Sequence, residues 1–406
     1  MKKSLLPLAL IALLFASCGT DDNTPETDDT RTSGAIDMTN KSVTEVQAAI
    51  QAALDAGITE LKLTGPITNS GIGSTDNSTF IMNTTITKID LTGVTDWEAA
   101  NYWGDVTEGD AVIGLPAYAF WGCTSLTEIK LPAAVKAIGA RACNGCAALT
   151  AINLGEITHV GLGAFCNCGK LASVDLAKAT TLYTAAFAES GLIAVNLPAA
   201  TAINVEGAET TNGSFYSCTQ LASIKAPKLK NTGDGTFADC PLLATVEMLA
   251  LEDIGEKAFK GCTLLSTGTF NGVKTVGEEA FSGCTSLTEM NLPAATTVGG
   301  YVFENCTELK TLNLPAATVF DDYIVSGCSS LKEIKVTAAG AITSTDGGSL
   351  DNTSVFGNFS ETPLFVPGEC ALVLNKDKKQ NGGGSPAVKD GNSWARVTWK
   401  NISYTE

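Results

Sequence analysis

Ala119-Phe120-Trp121-Gly122-Cys123-Thr124-Ser125-Leu126-Thr127-Glu128-Ile129-Lys130-Leu131-Pro132 is the stretch on which the fold turns. Its cysteine recurs at 146, 168, 218, 240, 262, 284, 306 and 328, and Ser190 fills the same column between 168 and 218. The successive spacings along the column run 23, 22, 22, 28, 22, 22, 22, 22 and 22, so the array holds ten units, from about position 115 to position 336. Three positions before the column stand Phe120, Phe165, Phe187, Phe215, Phe237, Phe259, Phe281 and Phe303, with Cys143 and Val325 as substitutes. Three positions after it stand Leu126, Leu149, Leu171, Leu221, Leu243, Leu265, Leu287, Leu309 and Leu331. A glycine column (Gly139, Gly161, Gly233, Gly255, Gly277, Gly299) precedes the next phenylalanine. Self-similarity at such a period is the signature of a solenoid.

The unit has a physical logic. In Leu126-Thr127-Glu128-Ile129-Lys130-Leu131 the alternation puts Ile129 and Leu131 on one face of a short strand, Glu128 and Lys130 on the other. Pro132 closes the strand because it has no N–H to give to a ladder. Val276, before Gly277, starts the return side, and Ala280-Phe281 sends a large ring inward. One unit cannot bury these faces alone. Stacked units can, with parallel strands about 4.8 Å apart.

The pattern Ile-Gly-x-x-Ala-Phe-x-x-Cys-x-x-Leu falls at Ile254, Gly255, Ala258, Phe259, Cys262 and Leu265, and its continuation at Leu287, Met290, Leu292 and Pro293. It resembles the BspA-like (Treponema-type) leucine-rich repeats, and the resemblance covers about 220 of 406 residues. It implies a right-handed, β-rich solenoid with a parallel sheet on the concave side and irregular turns opposite. It also implies adhesion to, or recognition of, host or bacterial macromolecules at the cell surface. Two units depart from the pattern. The fourth lacks the cysteine, is one residue short at 192–197 and is followed by an insertion near 204–214. The unit at Leu265 has Gly268 and Phe270 where Ile and Leu are usual. Both departures are expected to disturb register locally.

The ends read differently. Lys2, Lys3, an apolar run over 5–15 and Phe15-Ala16-Ser17-Cys18 resemble a secretory signal ending in a bacterial lipobox, with Cys18 as the lipidated residue (1–18). Residues 19–34, with Asp21, Asp22, Asp28 and Asp29, are too polar to bury a core and read as a flexible tether. The acidic pair after Cys18 resembles surface-export signals of Bacteroides-type lipoproteins, which points to the outer membrane and the cell surface. Residues 35–114 read as an α/β N-terminal cap. Ser42-Val43-Thr44-Glu45 has the form of a capping box, and strand-like pieces follow at 59–63 and 85–91. Residues 337–406 read as a small β C-terminal cap, with strand-like pieces at 370–374 and 394–399 and Trp394 and Trp399 over the last unit.

Composition narrows function. The formal net charge of −17 repels phosphate backbones, so no nucleic acid is expected, and contact with membrane is expected only through the lipid anchor. Cys143, Cys146, Cys166 and Cys168 with His159 invite a metal or dithiol reading. However, Cys146 and Cys168 are column residues and Cys143 sits in the phenylalanine column, so no metal or other cofactor is expected. Neighbouring units bring column cysteines within disulfide range, yet Ser190 in the same column favours buried thiols. The chain has one histidine and no nucleophile or phosphate-loop motif, so no catalytic residue is assigned and an enzyme is not expected.

Two surfaces are candidates for a ligand, taken to be an extracellular protein or glycan bound by a monomer. The first is the outward strand positions, among them Glu128, Lys130, Asn153, Asp175, Lys225, Glu247, Glu289, Asn291 and Asn313. The second is aromatic: Trp97, Tyr102, Trp103 and Trp121, for which packing of the cap on the first unit is the favoured reading. A surface coat without a specific ligand is the alternative function.

Overall fold

The computed structural model describes residues 32–72, 80–98, 112–205, 212–339, 341–344, 355–356, 370–378, 393–394 and 397–405. Cys18, most of the acidic stretch after it, Tyr102 and Trp103 lie outside these residues.

The periodic columns stack. Each unit is one coil, and in all but the third its Ile-x-Leu segment is a strand of two to four residues, paired parallel with the neighbouring coil wherever the ladder is continuous. In the final run Thr267, Glu289, Thr311, Glu333, Ala371 and Asn401 face one another in order. We call this the first ladder. A second ladder forms on the return side, as at Asp253–Ile254, Thr275–Val276, Thr297–Val298, Val319–Phe320 and Thr343–Ser344.

The core between the ladders is the column pattern made solid. Phe165, Phe187, Phe215, Phe237, Phe259, Phe281 and Phe303 form a continuous stack with centroids 5.1–5.7 Å apart and ring planes within 13° of parallel. Phe270, in place of the usual Leu, is buried and tilts against both Phe259 and Phe281.

Beside the rings runs a column of thiols. Cys240, Cys262, Cys284 and Cys306 each donate Sγ–H to the carbonyl of the phenylalanine one coil back, at 3.2 Å. At Phe215, Phe259 and Phe281 that carbonyl also accepts its own coil's backbone N–H, as when Cys262 N donates to Phe259 O. The thiol therefore gives the second lone pair of a buried carbonyl a partner. This explains why cysteine recurs at the position; Ser190, in the same column, instead places its hydroxyl 3.4 Å from Cys218 Sγ. Burial pushes the Cys262 and Cys306 thiols up to about 12, so the column stays protonated and unreactive at neutral pH.

The glycine column permits close approach. A Cβ on Gly277 would lie 2.5 Å from the amide nitrogen of Glu256 in the preceding coil, and one on Gly255 2.3 Å from the carbonyl oxygen of Gly233.

The N-terminal cap continues the first ladder. Strands β1 (Ser33–Asp37), β2 (Glu60–Pro66) and β3 (Lys88–Thr95) are parallel and lead into Glu128–Lys130. β1 begins at Ser33, inside the stretch read as tether. Helix α1 (Val43–Asp55) has Ser42 as N-cap with a complete capping box to Glu45, and buries Val46, Ile50, Ala53 and Leu54. Phe80 closes the near end, 5.5 Å from Phe120. At the far end Ala371–Asn375 and Asn401–Thr405 extend the first ladder, and Trp399 is buried edge-on to Phe356 at 5.2 Å. Asn401–Thr405 was not among the expected strands, since it carries little of the repeat pattern.

The ladders break where the sequence departs from its period. The first ladder stops after Ala151–Ile152, resumes at Ala194–Asn196, and breaks again before Thr267–Thr269, the strand containing Gly268. The second ladder loses register between Ala202 and Val205 and resumes at Asp253–Ile254, with a single bridge from Asn231 to Asp253 between the runs.

Candidate functional site

The outward positions of the first ladder carry a charge pattern that the repeat alone does not require. Register pairs Glu60 with Lys88 and Lys88 with Glu128 in one column, and Lys62 with Asp90 and Asp90 with Lys130 in the next. Sign alternates both along each strand and across the strands. Lys88 reaches Glu60 at 2.7 Å, and Lys130 reaches Glu128 at 3.4 Å. The hydrogen bond and charge of Glu60 hold Lys88 above its usual range. Burial works to raise Asp90, but hydrogen bonds from the Thr92 hydroxyl and amide, with Lys62 and Lys130 nearby, bring it below the ordinary carboxylate range.

This strip opens into a groove of about 610 Å³ lined by Thr92, Glu128, Lys130, Asn153, Ser173 and Asp175. A smaller depression of about 170 Å³ continues it over Glu60, Lys62, Lys88 and Asp90, and shares Glu128 and Lys130. Four of the sequence-derived candidates (Glu128, Lys130, Asn153, Asp175) thus meet in one place. Two of them have structural duties. The Asn153 carboxamide clips the previous coil, accepting from Leu131 N and donating to Leu131 O at 2.8 Å each. Asp175 accepts from Ala177 N at 3.0 Å, closing its own turn.

The other ladder candidates lie further along. Lys225 and Glu247 form an ion pair at 2.7 Å between adjacent coils. Asn313 donates to Asn291 at 2.6 Å, also between coils, and Glu289 is exposed. None of them lines the groove.

The aromatic surface needs correction. Trp97 is buried, with its indole N–H donated to Val94 O at 2.9 Å, so it is core and not a display residue. Burial of its two-ring surface against the cap outweighs anything gained by leaving it open. Trp121 is 40% exposed and stands edge-on to Tyr118 at 6.1 Å, on the turn ahead of Cys123 and not on the strand. The Tyr118 hydroxyl accepts from Arg141 at 2.9 Å.

Lys62, Lys88, Asp90 and Glu60 escaped the sequence reading because the cap lies outside the regular period. The signal was present in Glu60-Leu61-Lys62-Leu63 and Lys88-Ile89-Asp90-Leu91, which repeat the alternation of Glu128-Ile129-Lys130-Leu131.

His159 sits in a second-ladder strand with Nδ1 2.9 Å from the Thr158 hydroxyl. Among the described residues no group of three or more His, Cys, Asp or Glu is placed to hold a metal ion. No helix among them is long and apolar enough to cross a membrane.

The family model for the BspA type leucine rich repeat region matches residues 105–207, 206–271 and 252–357, more than half of the chain. The chain belongs to the BspA-type leucine-rich repeat family. As such it is a leucine-rich repeat protein. Three solved structures are similar to this BspA-type chain. A leucine-rich repeat protein from Bacteroides ovatus is 20% identical over 74% of this chain and 90% of its own, with a TM-score of 0.37. The Treponema pallidum leucine rich repeat protein is 29% identical over 36% of this chain and 72% of its own, with a TM-score of 0.32. A leucine rich cell surface protein from Faecalibacterium prausnitzii is 18% identical over 70% of this chain and 80% of its own, with a TM-score of 0.32. No curated protein matches.

Proposed function

We propose that the chain is a monomeric, lipid-anchored cell-surface receptor that binds an extracellular protein across the first ladder at its N-terminal end. The observation that carries this reading is the alternating strip Glu60/Lys62, Lys88/Asp90, Glu128/Lys130 beside the 610 Å³ groove. A patterned, internally neutral face selects a partner by register more than by net attraction, because each misplaced like charge is penalised. On a chain of net charge −17 it is also a place where an acidic partner is not repelled outright.

The lipid anchor rests on Lys2, Lys3, the apolar run and Cys18, and export on the acidic residues that follow. Labelling with radioactive palmitate tests it. The wild type takes up label and is cut by protease added to intact cells, whereas Cys18→Ala takes up none. Binding is tested on arrays of matrix and bacterial surface proteins. Reversing the strip with Glu128→Lys and Lys130→Glu together abolishes a saturable signal, and Glu289→Lys leaves it. Absence of any saturable signal favours a surface coat without a ligand.

A further inference from the structure

The second ladder has its own opening, on the opposite side of the coils from the strip. Where the spacing lengthens between Ser190 and Cys218, the ladder loses register at Ala202–Val205 and is bridged only by Asn231 and Asp253 before it resumes. Beside these strands lies a groove of about 1420 Å³, lined among the described residues by positions between Thr184 and Gly277. That exceeds the roughly 300–1,000 Å³ of small-molecule pockets, so there is room for a chain of linked groups.

Its chemistry is specific. Asn212, Tyr216, Asp239 and Asp253 line the groove, and none of their side chains makes a hydrogen bond or ion pair among the described residues. They contrast with polar neighbours already in use. Asn231 accepts from Gly233 N at 2.7 Å, Asp234 accepts from Glu256 N at 2.8 Å, and the Asn204 amide donates to Asp234 O at 2.7 Å. Lys257 and Lys260, the groove's two cations, both turn to Glu279. The remaining carboxylates leave a negative lining that repels phosphate, sulfate and acidic sugars. Peptide anchors are scarce, because Ile203, Ala238 and Ile254 are buried and the aromatic ring on the lining belongs to Tyr216. What fits is a ligand rich in neutral hydroxyls. Carboxylates accept from hydroxyls, a carboxamide both donates and accepts, and a tyrosine offers a ring face with a polar tip.

We propose that this groove, distinct from the protein-binding strip, binds a neutral oligosaccharide through Asn212, Tyr216, Asp239 and Asp253.

The test is calorimetric titration of the full chain in detergent with cellohexaose, xylohexaose, mannohexaose and laminarihexaose, and separately with pentalysine. The expected result is saturable binding of at least one hexasaccharide, weakened about tenfold by Tyr216→Ala. The isosteric pair Asp239→Asn and Asp253→Asn, whose side chains hold no structural bond, weakens it as well. Lys130→Ala on the strip leaves it unchanged, so failure of one site is told apart from failure of the other. Three results overturn the proposal: no hexasaccharide binds, binding is lost in Lys130→Ala but kept in Tyr216→Ala, or pentalysine alone binds.

Discussion

From Phe237 to Phe303 the coil keeps one constant spacing, and from Asp253 to Ser344 the second ladder is unbroken; between Thr181 and Asp253 one spacing lengthens and the ladder comes apart. Yet the ring stack crosses both regions without a gap: Phe187 to Phe215 is 5.7 Å at 3°, and Phe259 to Phe281 is 5.4 Å at 9°. Core and rim therefore obey different rules. The ring stack keeps its spacing where the interval between column residues lengthens from 22 to 28, and the second ladder does not keep its register. In the strict region, outward groups such as Asn291 and Asn313 are spent on the neighbouring coil. In the interrupted region, groups such as Asn212 and Tyr216 remain open to a partner. Departure from period is what leaves chemistry available.

The largest test of this division is in the ring stack. Phe259→Ala is expected to cost about 3–5 kcal/mol in chemical denaturation. Phe215→Ala, at the interruption, should cost the same to within about 1 kcal/mol given the scatter of such sites. A much cheaper Phe215→Ala would mean that the core loosens along with the rim. Next is the glycine column. Gly277→Ala forces a Cβ against the Glu256 backbone and should cost about 1–3 kcal/mol, whereas Gly169→Ala, with nothing within 4 Å of the added carbon, should be close to neutral. The thiol column comes third. Cys262→Ala removes one donor from Phe237 O and should cost about 1 kcal/mol, with Cys262→Ser recovering part of it.

The smallest effect concerns acid. Hydrogen bonds from Lys136 and Lys178 depress Glu156 to about 2, and those from Lys230 and Lys274 depress Glu252 to about 2. Each carboxylate ties three successive coils, Glu252 at the point where the second ladder resumes. Because the folded values lie below the ordinary 4.5, this contribution is complete above pH 4.5 and drains away as pH falls toward about 2. Replacing both by Gln should flatten the stability profile across that window and leave it unchanged in shape near neutrality.

Much of the fold was legible because it is written ten times. The Phe, Cys and Leu columns each state an inward position, and Ser42 with Glu45 states a helix start. The breaks at Gly268 and at the lengthened spacing before Cys218 were legible for the same reason, as exceptions to a rule. The candidate sites were less so. Glu60, Lys62, Lys88 and Asp90 become partners of Glu128 and Lys130 only through parallel register between segments of unequal spacing, which period counting does not follow. Trp97 was ambiguous because an indole is apolar over its body and polar at its tip, and only position decides which part governs. Tyr216, Asp239 and Asp253 are marked by what their side chains leave unbonded, a property of the assembled coils and not of any one of them.

The dry column of cysteines has a consequence for how this molecule comes apart. Each coil except the one that carries Ser190 holds one column sulfur, shut away and protonated, so a thiol-modifying dye does not reach the column in the intact stack. As coils fray from an end, they surrender their sulfurs one at a time, and the mass added by labelling becomes a tally of how far the unravelling has gone and from which end it began.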